Sequence, residues 1–143
     1  MLDKDEILNI STITPVKEAA KLLGWDELKD EKGRKFLSDL KDLATQNYDF
    51  SYEYISKIIQ KAEESKTKAI FIHCREPEEL GRFQEEFNAI TLLIKNNRIK
   101  TINSNHADRN VENYFYDFVI DNNEGIIELT KKAALFLEEI GVL

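Results

Sequence analysis

The sequence predicts an α/β fold of three layers on a mostly parallel sheet of about four strands. Three stretches predict it. Residues 68–87, KAIFIHCREPEELGRFQEEF, open with the apolar run Ala69-Ile70-Phe71-Ile72, cross His73-Cys74-Arg75-Glu76-Pro77 and enter an amphipathic helical pattern. Residues 90–95, ITLLIK, form a second continuous apolar run. Residues 116–121, YDFVID, lead through the turn Asn122-Asn123-Glu124-Gly125 into a closing helix. A buried strand that feeds a turn and then a helix is the repeating unit of a parallel sheet. Continuous rather than alternating apolar runs suit strands covered on both faces.

In chain order, residues 6–12 read as a short strand carrying Ile7, Leu8 and Ile10. Thr14-Pro15 then reads as an N-cap followed by proline at the first helical position. Val16, Ala19, Ala20 and Leu23 follow at helical spacing, and Gly24 closes that helix. Residues 26–33 are a polar turn region that includes another cap, at an unassigned residue, before the next helix. A half-buried helix over 35–43 presents Phe36, Leu37, Leu40 and Leu43. Asn47-Tyr48-Asp49 breaks the period, and Asp49 or Ser51 caps a third helix striped by Tyr54, Ile55, Ile58, Ile59 and Ala62. The strand over 69–74 and the helix over about 77–87, with Leu80, Phe83 and Phe87 as its stripe, come next. After the strand at 90–95, residues 96–113 form a polar, asparagine-rich excursion of a length that is usually either functional or mobile. The strand over 116–121 and a helix over 126–140 complete four strands and about five helices.

With 143 residues, 42% of them hydrophobic and 33% charged, the chain is expected to form one domain over 1–143 with a core that needs no disulfide. Its net charge of −7 argues against non-specific nucleic-acid binding over the whole surface and leaves only a local basic patch for such a role. The single cysteine, Cys74, has no internal partner, which suits a reducing compartment. No apolar run approaches the roughly 20 residues of a membrane span, and the first 30 residues hold no signal-peptide pattern. A cytoplasmic chain with no membrane partner is the expectation.

Ligands of open parallel sheets bind beyond the carboxyl ends of the strands, and Arg75 stands at such an end. It either faces a phosphate there or pairs with Glu78 or Glu79. Lys17, Arg34 and Lys35 are either monophosphate ligands or an exposed charged helix face. Trp25 and the group Tyr48, Phe50, Tyr52 and Tyr54 either stack a base or pack the helices onto the sheet. His106, Asp108 and Glu112 are either a weak metal set or a solvated loop, so no metal ligand is assigned. His73 reads as a structural histidine and Cys74 as a small buried hydrophobe.

Three pieces of this sequence resemble the nucleoside monophosphate kinase-like P-loop family, most closely its phage-type deoxynucleoside monophosphate kinases. Arg75-Glu76-Pro77-Glu78-Glu79 after a strand looks like the family's strand-end D-x-R-x-P-x-E segment. Arg98 after ITLLIK, with His106-Ala107-Asp108 and Glu112 in a polar loop, looks like its lid, here about 96–113. Residues 116–122 and the helix that follows look like its last strand and helix. The helical insert over about 14–65 then corresponds to the monophosphate-binding region. The resemblance implies Arg75, Arg98 and Arg109, with Lys17 and Arg34 from the insert, as phosphate-binding candidates, because guanidinium groups bind phosphate bidentately.

Two departures shape what is expected. The family's Gly-rich loop, G-x-x-x-x-G-K-[ST], cradles phosphates and positions magnesium. None of Gly24, Gly33, Gly81, Gly125 and Gly141 has that spacing, so the Walker A motif is missing and the chain starts at what would be the family's second strand. His73 also stands where the family pattern has a carboxylate, and an imidazole does not replace it beside hydrated magnesium. ATP and Mg2+ are therefore cofactors only if a phosphate loop is supplied from elsewhere, and no catalytic residue is assigned. The expected function is a degenerate or truncated kinase-like domain that binds a nucleotide or another phosphorylated ligand without ATP-dependent catalysis by itself. The alternative is a non-catalytic protein-interaction module on the same scaffold, binding a protein through its acidic surface or an open sheet edge; a homo-oligomer through sheet edges is the other partner expectation. The missing strand would lie between those at 69–74 and 90–95. These two are expected to pair directly, or else to take a strand from another chain.

Overall fold

The computed structural model describes residues 6–98 and 110–143. It is α/β: four strands and five helices among the described residues, in the order β1 (Ile7–Ser11), α1 (Ile13–Leu22), α2 (Glu31–Tyr48), α3 (Phe50–Glu63), β2 (Ala69–His73), α4 (Pro77–Phe87), β3 (Leu92–Lys95), β4 (Phe118–Asp121) and α5 (Ile126–Glu139). The chain divides into two compact units, the first ending at Cys74 and the second beginning at Arg75. No helix among the described residues is long and apolar enough to cross a membrane.

In the first unit β1 and β2 pair in parallel, with Ile7 opposite Ala69 and Ser11 opposite His73. The ladder is extended by Lys68 N–H donating to Glu6 O at 2.8 Å, and Lys68 Nζ pairs with Glu6 Oε1 at 2.7 Å. Helix α1 starts two residues earlier than its sequence suggests. Thr12 occupies the cap position without a side-chain bond, and Pro15 falls in the first turn, where its missing N–H has no intrahelical partner to lose. Helix α2 is longer than expected at both ends, because Asp30 caps it by accepting Gly33 N–H at 2.7 Å. It ends at Asp49, whose left-handed φ of 49° is the single joint into α3. Val16, Ala20 and Leu37 form the core of the helices, packed by Ile13, Trp25, Phe36, Leu40 and Phe50. Trp25 and Phe50 therefore pack the helices on one another. Two residues expected on buried faces, Leu23 and Leu43, are exposed.

In the second unit β3 and β4 pair in parallel, with Leu92 opposite Phe118 and Lys95 opposite Asp121. Pro77 opens α4 at its first position, and Asn88 closes it in the left-handed conformation at φ 52°. Phe83 is buried and lies 6.1 Å from Phe87, ring to ring, one turn along the same helix. Helix α5 covers β4: Phe136 meets Phe118 edge-on at 5.1 Å, and Ile120 is buried.

The expected single sheet is corrected by this pairing. All four strands are present and every pairing is parallel, but they form two sheets of two strands, β1–β2 and β3–β4. The expected direct pairing of β2 with β3 is not made. Each strand closes its ladder with the partner from its own unit. The apolar runs that read as strands buried on both faces are only partly covered: residues 69–72 are half-buried and Ile94 is 56% exposed. A P-loop kinase fold is not established by this arrangement.

Candidate functional site

The carboxyl ends of β3 and β4 are the site that a parallel pair offers. Asn122 N–H donates to Lys95 O at 2.7 Å, which carries the ladder one residue past β4. Asn97 N–H then donates to Asn123 Oδ1 at 2.9 Å, tying the two strand-end loops together. Arg98 follows, with its backbone N–H on Asn96 Oδ1 at 3.0 Å and its side chain exposed. Helix α5 is preceded by Gly125 at its cap position, whose φ of 110° suits glycine and which offers no side-chain cap. The first N–H groups of α5 thus carry the partial positive charge of a helix start next to this loop.

The charges around it are mixed. Lys132 Nζ donates to Asp121 O and to Glu124 Oε2, both at 3.0 Å, and Lys95 Nζ lies 3.9 Å from Glu112 Oε2. Glu112 is thereby engaged by a lysine. His106, Asp108 and Arg109 lie outside the described residues, as does most of the lid-like stretch over 96–113.

Arg75 is exposed between β2 and α4, and its backbone N–H reaches Glu76 Oε2 at 3.3 Å. Glu78 and Glu79 in the first turn of α4 meet the positive end of that helix. Arg75 and Arg98 belong to the second unit, whereas Lys17 on α1 and Arg34 on α2 belong to the first. Arg34 Nε donates to Lys29 O at 3.1 Å and so braces the turn before its own helix.

The amino ends of β3 and β4 hold a polar node that sequence reasoning missed. Asp117 Oδ2 accepts from Thr91 N–H at 2.8 Å, Thr91 Oγ1 at 2.8 Å and Gln84 Nε2 at 3.0 Å. In return Asp117 N–H donates to Thr91 Oγ1 at 3.0 Å, and Phe118 N–H donates to Thr91 O at 3.0 Å. Tyr114 OH donates to Gln84 Oε1 on α4. The Thr91 N–H, then its hydroxyl, hold the Asp117 carboxyl below the usual aspartate range. Desolvation first, then the charges of Asp117 and Glu85, push the Tyr114 phenol up. An anionic carboxylate whose Oδ2 already accepts three bonds is poorly suited to act as a base. The signal for this node was a carboxylate inside the aromatic run YDFVID, since a polar group at a strand that packs needs partners.

No protein-family model, curated protein or solved structure matches the chain.

Proposed function

We propose that the chain is a kinase-like nucleotide-binding scaffold without its phosphate loop, which binds a nucleotide or another phosphorylated ligand at its strand ends and performs no ATP-dependent phosphoryl transfer by itself. The observation that supports this reading is the strand pairing. The resemblance implies a parallel sheet lacking the strand that belongs between β2 and β3. The pairs found, β1 with β2 and β3 with β4, all parallel, leave β2 and β3 unpaired with each other, as a gap between them would, although the direct closure expected of these two strands is not made. Arg98 beside the uncapped start of α5, and Arg75 before α4, are the groups that would meet phosphate oxygens. ATP and Mg2+ enter only with a phosphate loop from another source.

Calorimetric titration with deoxynucleoside monophosphates, and with ATP and Mg2+, tests this. Heat is expected with a monophosphate, and Arg98→Ala and Arg75→Ala weaken binding without lowering the melting temperature. No heat with any of these ligands sinks the proposal.

A second reading, a protein-interaction module that associates through sheet edges, is favoured by a different observation. Phe115 is fully exposed, and Ile94 and Val119 are each more than half exposed on the β3–β4 pair. A two-stranded sheet keeps open edges, and exposed apolar side chains on its strands favour addition of a further strand there.

A further inference from the structure

We propose that Gln84, Thr91, Asp117 and Tyr114 form a positioning lock that fixes α4 along the β3–β4 pair and so sets where Arg75 stands relative to Arg98. The inference rests on the reading that these two arginines serve one phosphorylated ligand. Its mechanical part stands on the geometry alone.

The node sits at the amino ends of β3 and β4, whereas Arg98 follows the carboxyl end of β3 and Arg75 precedes α4. Thr91 and Asp117 immediately precede β3 and β4, and Gln84 lies in the last turn of α4. Between α4 and β3 runs a connection of four residues, 88–91, turned by Asn88 in the left-handed conformation and held by Ala89 N–H on Phe83 O at 3.3 Å. So short a connection fits a reversal of the chain, and in the proposed lock α4 runs back along the strands from the end held by Gln84. An eleven-residue helix spans about 16 Å at 1.5 Å per residue. Four strand residues span about 13 Å. In that arrangement the amino end of α4, preceded by Arg75, comes toward the carboxyl end of β3, followed by Arg98.

What prevents α4 from sliding or rotating is the node. Gln84 Nε2 is held by Asp117 Oδ2 and lies 3.4 Å from Thr91 Oγ1, while Gln84 Oε1 takes the Tyr114 hydroxyl. The Tyr114 hydroxyl also lies close to Gly81, one turn before Gln84: a Cβ at Gly81 would meet Oη at 3.7 Å, an ordinary contact. One helical side chain is thereby fixed by both of its amide atoms to residues 30 and 33 positions away. Rigid elements tied at one end transmit that placement to the other. The four are positioning residues; none of them is assigned contact with the ligand.

Pulsed electron–electron distance measurement tests this on the full chain, with spin labels at Glu78→Cys and Asn97→Cys in a Cys74→Ser background. A single narrow distance is expected. Thr91→Val removes the hydroxyl that gives to Oδ2 and takes from Asp117 N–H, and it broadens or shifts that distance. Thr91→Ser keeps the hydroxyl and restores it. Gln84→Met, which unties α4 alone, gives the same broadening if Thr91→Val does not fold. A distance unchanged in folded Thr91→Val and Gln84→Met overturns the lock. Titration with a deoxynucleoside monophosphate is the second arm: Thr91→Val weakens binding roughly tenfold, a substantial but partial loss, and Thr91→Ser does not. Wild-type chain that gives no heat overturns the ligand reading, while the distance data still decide the lock.

Discussion

Asp117 concentrates three hydrogen bonds on one carboxylate oxygen, two of them from the single residue Thr91, which is 5% exposed. Asp117→Ala leaves the N–H and hydroxyl of a buried threonine without that acceptor, a loss of about 1–3 kcal/mol. The pH dependence has a definite sign. Unfolded, Asp117 titrates near the ordinary aspartate value of about 4. Folded, it titrates lower, because the Thr91 bonds favour the anion. The folded state therefore carries this stabilisation at all pH values above the ordinary one, and loses it as pH falls through and below that value toward the folded pKa. Denaturant unfolding at pH 7 and pH 3 is expected to show a larger fall for wild type than for Asp117→Asn, which does not titrate. Equal falls in the two proteins refute the assignment. The sequence hid this residue for a physical reason. Asp117 sits between aromatic residues at strand spacing, so residues 116–121 read as one strand. In the structure the strand starts at Phe118, and Thr91 stands just before β3 for the same cause: the two side chains exchange bonds where ladder residues would otherwise begin.

At the scale of elements, local chemistry was legible and pairing was not. Apolar period, Pro77 and the break at Asp49 depend on neighbours a few residues away, and the strands and helices they imply are present. Which strand pairs with which depends on partners dozens of residues distant, and β2 with β3 was the wrong choice. The start of α2 was misplaced because Asp30 was read as part of a polar turn. Its carboxylate caps the helix at Gly33, three residues on. Gly33 itself makes a sharp prediction. Replacing an interior helix glycine by alanine ordinarily stabilises by up to about 1 kcal/mol. Here a Cβ would overlap Leu28 O, a backbone atom, and stand 2.9 Å from Trp25 Nε1, which itself donates to Leu28 O at 3.4 Å. The turn closes on the glycine, and Trp25 packs on the Val16–Ala20–Leu37 core. Gly33→Ala is expected to destabilise by about 1–3 kcal/mol through overpacking, lowering the melting temperature and shifting Trp25 fluorescence. A raised melting temperature would show that the turn is not packed on this glycine.

For the molecule as a whole, the balance is between a net charge of −7, which keeps copies apart, and apolar side chains left in solvent. The β3–β4 pair states this most sharply. The register puts Ile94 on the face of Leu92, Phe118 and Ile120, and Val119 on the face of Leu93, Lys95 and Asp121. Ile94 is 56% and Val119 is 55% exposed, so each face of the pair carries an apolar residue in water. Two strands of four residues are at the lower limit of what a sheet sustains by itself, and strand addition is the direct way to lengthen its ladder. If association occurs through this pair, sedimentation at rising protein concentration detects it, and added salt strengthens it by screening the like charges. Ile94→Lys places a charge on the strand that a new partner would join and moves the equilibrium to monomer, with folding stability within about 0.5 kcal/mol because the site is exposed. Chain that sediments as monomer at every concentration and salt strength removes the self-association reading and leaves the strand ends, with Arg98, as the surface on which binding has to be sought.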